Sequence, residues 1–183
     1  MEVIFHFVFQ LFKISCLSAA YAGLVVLGLR FVKVGRLGVI EWFGLGALIW
    51  IGLFVYSFTY WGNHGLGDTY RIPLGNSKVL ESINAMEYAD LLDVMNSSRE
   101  RVEMSKFAFT EEVLVGNCDD WFYDVPCSFF AYEIASENLL EFPDSSSYMT
   151  SALKHGWPTL EEHGTYEQNY RKHWSGWRYW LLP

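Results

Sequence analysis

The chain reads as a membrane-anchored α+β protein: a two-helix transmembrane hairpin, then a small extracytoplasmic domain with a short antiparallel sheet and two C-terminal helices. Three observations predict this. Two long apolar runs free of charge lie in the first 61 residues. Charge is divided sharply between that stretch and the remainder. Beyond residue 78, alternating apolar positions give way to helix-capping signals.

Of 183 residues, 51% are hydrophobic, 18% aromatic and only five are proline. Such a chain is neither disordered nor collagen-like. Thirteen Lys and Arg stand against twenty-one Asp and Glu, a net charge of −8, which gives nucleic-acid binding no electrostatic support. Residues 1–61 hold four of the bases and two of the acids. That leaves nine and nineteen for residues 62–183, a net −10. The chain thus divides into an anchor, 1–61, and an acidic extracytoplasmic domain, 62–183.

The anchor is two helices, about 3–29 and 39–61. Residues 14–29 carry no charge, and the apolar character runs back across Lys13 to Val3; residues 42–63 are also uncharged. A hydrocarbon core of roughly 30 Å needs about 20 helical residues. The second run suffices alone, and the first does so if Lys13 snorkels to the interface. Neither shows the polar face of a soluble amphipathic helix. Glu2, the lack of a basic cluster before the first run and the second run close behind it argue against a cleaved signal peptide.

Arg30, Lys33 and Arg36 make the connecting loop basic, which puts it on the cytoplasmic side and both termini outside. Lys13, Arg71 and Lys78, near the other face, count against that orientation. Ala19 with Gly23, and Gly38, Gly44, Gly46 and Gly52, are expected to bring the helices close. Trp42 fits an inner aromatic belt, and Tyr56, Tyr60 and Trp61 an outer one. Glu41 is better read as reaching the headgroups, Arg30 or Arg36 than as part of a proton path.

Glycines 62, 65 and 67 are expected to turn the chain off the second helix through positive φ. No strand precedes them and no Lys-Ser/Thr follows, so no dinucleotide or P-loop fingerprint is present. Residues 78–95 fit a strand followed by a short helix. Residues 106–115 alternate. Residues 128–135 and 139–142 flank a hairpin turn at Ser136, Glu137 and Asn138. Ser145 or Ser146 is expected to cap a helix ending at Gly156. Thr159 with Glu162 forms a capping box for a second helix, ended by Gly176.

Chemistry-bearing residues are scattered. Cys118 and Cys127, nine apart, are the natural disulfide pair in an oxidising compartment; two buried free thiols are the alternative. Cys16 lies in the first helix. Asn117, Asp119, Asp120 and Asp124 share one loop but lack the EF-hand pattern, so a solvated acidic loop is expected. His155, His163 and His173 show no zinc spacing, nor do His64 and Asp68. No GxSxG or kinase signature occurs. No catalytic residue, metal or cofactor is assigned.

The most unusual stretch is 170–183, where five of fourteen residues are aromatic and four are basic or histidine. Trp174, Trp177 and Trp180 are expected to pack on the domain's own sheet, with Arg178 stacked on a ring. Alternatively, the segment lies on lipid headgroups. As a third reading, Arg171, Trp174, Trp177, Arg178, Tyr179 and Trp180 form a partner-binding patch.

The expected function is that of a non-enzymatic accessory or assembly subunit. It would sit in the lipid bilayer, by default a bacterial inner membrane, and bind membrane or envelope proteins within a larger complex through its outer domain and aromatic C-terminus. The alternatives are a ligand- or metal-binding sensor or hydrolase domain, and an immunity or exclusion factor.

Overall fold

A computed structural model describes residues 2–31, 38–62, 69–83, 87–92, 101–118 and 128–183. Two long apolar helices open the chain, a sheet-rich region follows, and short helices close it. Contacts divide it into two compact units, Met1–Gly67 with Trp174–Pro183, and Asp68–His173. Within the stretch 62–183, Gly62 and the last ten residues group with the helical unit.

In the helical unit, α1 (Glu2–Phe31) packs on α2 (Val39–Ser57). Among the described side chains of α1, the buried ones are Gln10, Ile14, Ser18, Ala22 and Val26. They recur every fourth residue, so one ridge forms the seam between the helices. A Cβ added to Gly46 would lie 3.7 Å from Ala22 Cβ, whereas Gly44 and Gly52 face open space. Of the glycines in α2, only Gly46 meets this seam. Trp50 crosses to α1, donating from Nε1 to Ser15 Oγ at 3.0 Å. Glu41 accepts the Gly38 backbone N–H at 2.7 Å, so its carboxylate caps α2. After α2 the backbone closes on itself so tightly that a Cβ at Gly62 would run into the Ser57 carbonyl. Close approach, not positive φ, demands that glycine; Gly65 and Gly67 lie outside the described residues.

The second unit is a meander. Strands β1 (Thr69–Gly75), β2 (Lys78–Ile83), β3 (Ala89–Leu92) and β4 (Arg101–Met104) form an antiparallel four-stranded sheet in chain order. Strands β5 (Lys106–Phe109), β6 (Val113–Asn117), β7 (Phe129–Glu133) and β8 (Asn138–Phe142) continue into a second sheet, and β9 (Gly164–Thr165) adds to the far side of β5. A single residue, Ser105, separates β4 from β5, so the chain turns a corner from one sheet to the other. Asn117 pins that corner. Its Oδ1 accepts the Lys106 N–H at 2.8 Å, and its Nδ2 donates to Ser105 Oγ at 2.9 Å.

The larger core cluster takes Ile72, Leu80, Leu91 and Met104 from the first sheet, Phe107, Leu114, Phe130 and Tyr132 from the second, and Tyr166 from α4 (Tyr166–His173). On the other face of the second sheet, Val115 and Ala131 pack with Tyr148 and Ala152 of α3 (Ser145–His155). Tyr166 Oη donates to the Tyr70 carbonyl at 2.8 Å and Asn169 Nδ2 to the Phe107 carbonyl at 2.8 Å, docking α4 on both sheets.

Several expectations need correction. The short sheet is two sheets, and 106–115 contains two strands with a turn between them. The stretch expected to be a short helix after Ile83 forms β3. Its Leu91 is buried opposite Leu80 and Val102, and that cross-strand burial outweighs a weak helical stripe. Asp144, not Ser145 or Ser146, caps α3, accepting the Ser147 N–H at 2.8 Å; Gly156 ends the helix at φ +69. The Thr159–Glu162 box is formed, but it starts only the 3-10 turn Leu160–Glu162, because the chain then extends to pair with β5.

At Gly116 an added Cβ would sit 3.0 Å from the Lys106 carbonyl oxygen and 3.1 Å from Phe107 Cβ and Phe130 Cε1. Gly116→Ala is predicted to lower stability by about 1–3 kcal/mol through overpacking, read as a lower denaturation midpoint at unchanged slope.

Candidate functional site

The aromatic C-terminal segment lies in the helical unit. Gly176, at φ +65 and ψ −133, opens α5 (Trp177–Leu181) in a conformation that side-chain-bearing residues avoid. The segment is held to α1 at two points. Tyr21 Oη donates to the Leu181 carbonyl at 2.5 Å, and Lys13 Nζ lies 5.0 Å from the Tyr179 ring centroid. Arg178 stacks over Trp177 at 5.3 Å. Trp180 meets Tyr179 edge to face at 5.3 Å. Even so, Trp177 is 60% and Trp180 72% exposed. The expected packing of Trp177 and Trp180 on the sheet is therefore not found.

The six residues of the expected partner patch fall in different places in the chain's two units. Trp174 is buried. Arg171 belongs to the other unit, where it pairs with Glu167 at 2.6 Å one turn earlier. Trp177, Arg178, Tyr179 and Trp180 remain together on α5.

In the helical unit, Arg30 stands exposed in the last turn of α1, where a cation complements the helix dipole; Lys33 and Arg36 lie outside the described residues. Between the helices runs a groove of about 280 Å³, bordered by Ser15, Ser18, Ala19, Trp42, Gly46 and Trp50.

In the sheet-rich unit, Cys118 is disulfide-bonded, while Cys16, in α1, is a free thiol. Cys127, its expected partner, lies outside the described residues, as do Asp119, Asp120, Asp124, His64 and Asp68. Asn117 is engaged in the strand corner. His155 stacks on Trp157 at 4.7 Å, His163 lies against Tyr148 and His173 faces Phe109 at 6.4 Å. Among the described residues, no three His, Cys, Asp or Glu are grouped as metal ligands would be.

Sequence reasoning missed Tyr148. Fully buried between Phe129 and Phe142, it donates to the Pro158 carbonyl at 2.5 Å. Its one proton is thereby committed, so the 3.2 Å contact with His163 Nε2 requires the histidine to donate. Burial pushes the Tyr148 hydroxyl up to about 12, with the Glu162 carboxylate adding to the effect. Burial also holds His163 below the ordinary histidine value, against the opposing pull of Glu162. The pair fastens the 157–163 segment to α3. An aromatic on the buried stripe of α3 was the only sequence signal for it.

No family model, no curated protein and no solved structure matches the chain.

Tyr148→Phe, which leaves the Pro158 carbonyl without its donor, is predicted to cost about 1–3 kcal/mol, measured by chemical denaturation. Because His163 is held neutral in the fold, the unfolded chain takes up its proton first as pH falls. The stability it contributes is complete above about pH 6.5 and is lost below it. The Tm is predicted to fall between about pH 7 and pH 5.5, and His163→Gln to flatten that stretch. Hydrogen bonds hold the Asp144 and Glu162 carboxyls below their ordinary values, so their losses come only below about pH 4.5.

Proposed function

We propose that the chain is a non-enzymatic integral membrane protein that acts by binding, as an accessory or assembly subunit. On this reading α1 and α2 cross the bilayer as a hairpin. The basic connection after Arg30 lies on the cytoplasmic side and the sheet-rich unit on the other.

One observation carries the membrane reading. Phe7–Phe31 and Val39–Ser57 are long and apolar enough to span a bilayer, and the second buries none of its apolar window within the protein. Ile40 is 85%, Leu48 70% and Phe43 65% exposed. Each such side chain left in water forgoes about 1.5–3 kcal/mol of burial free energy, which a lipid environment restores. The Ser57 and Thr59 hydroxyls donate to the Phe54 and Tyr56 carbonyls at 2.7 Å and so reinforce the end of α2. This suits a helix ending at an interface.

The accessory role rests on different ground. Tyr21 and Lys13 engage the aromatic segment, so partner binding falls to the sheet-rich unit. There, one face of the first sheet carries a row of ion pairs: Arg71 meets Glu81 across strands at 2.9 Å, and Arg101 meets Asp90 across strands at 2.8 Å and Glu103 of its own strand at 2.9 Å.

Two measurements test this. After alkaline extraction the full-length protein is expected in the membrane pellet, and release to the supernatant would remove the membrane reading. Purified in mild detergent from its native membrane, it is expected to bring down a partner at fixed stoichiometry. A clean monomer or homo-oligomer would remove the accessory reading and leave the anchor standing.

A further inference from the structure

We infer that the C-terminal segment 177–183 is a third membrane element, embedded beside α1 in the leaflet on the Lys13 side; the inference rests on the hairpin reading above. Three observations converge on it: the depth of the segment's contacts, the hydrogen bond at its end, and the side chains it leaves uncovered.

Depth comes from helix register. Ser15 meets Trp50 and Ala22 meets Gly46, so Tyr21 is level with the middle of α2. It lies eight residues beyond Lys13, about 12 Å along the helix. Tyr179, by contrast, lies against Lys13, the level eight residues nearer the start of α1. The segment therefore descends from the Lys13 level toward the middle of the helices. Tyrosine side chains in a helix lean back toward its N-terminus, which sets the Leu181 carbonyl between these two levels, inside the apolar span.

Backbone chemistry explains the tyrosine. A five-residue helix leaves its last carbonyls without intrahelical partners, and in hydrocarbon there is no water to supply a donor in their place. Tyr21 supplies a donor to the Leu181 carbonyl. A phenol in the middle of an apolar span thus has a defined partner in a segment 160 residues away.

The side chains then sort by chemistry. Arg178 and Lys13 rest on the rings of Trp177 and Tyr179, pairing cations with aromatics as membrane interfaces favour. Trp180 and Leu181, further along, stay uncovered by protein. Their continuity with the lipid-facing side chains of the same unit makes lipid, rather than a protein partner, their occupant.

The test uses the full chain with Cys16→Ser, a nitrobenzoxadiazole probe on Trp180→Cys, and mixed phosphatidylcholine–phosphatidylglycerol vesicles. A second sample carries the probe on Leu48→Cys in α2. Doxyl groups on the acyl chains are expected to quench both probes, and aqueous iodide neither. If iodide reaches the residue-180 probe while the residue-48 probe stays lipid-quenched, the inference fails and the hairpin stands. If neither quencher reaches residue 180, protein covers it, and the inference also fails. If iodide reaches residue 48, the hairpin reading falls and takes the inference with it. Tyr21→Phe keeps the helix but removes the donor. It is expected to raise the iodide-accessible population at residue 180 about fivefold, the worth of one hydrogen bond, with residue 48 unchanged. No change at residue 180 would overturn the role given to Tyr21.

Discussion

Between Met104 and Lys106 the chain leaves one sheet and enters the other, and the Asn117 carboxamide holds that corner from both sides. The constraint is demanding, because a backbone that turns within one residue breaks its ladder there and must satisfy its polar groups some other way. Asn117 does so from the end of β6, a strand of the second sheet. The angle between β4 and β5 and the register of β5 on β6 are thus set together. Once the two sheets face each other, their inner faces make one core, and α4 can reach both through Tyr166 and Asn169.

Other long-range ties support the same arrangement. Asn76, in the turn between β1 and β2, donates to the Ile134 carbonyl at 3.2 Å, and the nearly buried Lys78 lies 3.5 Å from Glu137. Both join the first hairpin of one sheet to the last hairpin of the other. Polar side chains that looked like ligands or surface charges in the sequence are engaged in joining sheets. Asn117 is the clearest case: an oxygen donor near three aspartates resembles part of a cation loop until its two hydrogen bonds are seen.

The helical unit obeys a related rule. Its few polar side chains find partners within the unit: Ser15 receives the Trp50 N–H, Glu41 caps α2, and Tyr21 reaches the last turn of α5. Under the proposed membrane reading this follows from the cost of an unpaired polar group in hydrocarbon. It also explains why aromatic residues with a polar atom, rather than phenylalanine, occupy positions 21 and 50.

What the sequence determined by itself was local. The two apolar helices, the hairpin between β7 and β8, and the Gly156 end of α3 follow from periodicity and capping, which act over a few residues. Tertiary structure decided the rest. Residues 89–92 became a strand because Leu80 and Val102 flank Leu91, and the Thr159–Glu162 box stopped after one turn because Gly164 and Thr165 pair with β5. The aromatic segment belongs to the helices because Tyr21 and Lys13 meet it there. In each case the deciding partner lies far away in the chain or across a strand pairing. No local pattern of residues encodes which distant surface will offer the missing hydrogen bond or the matching apolar face.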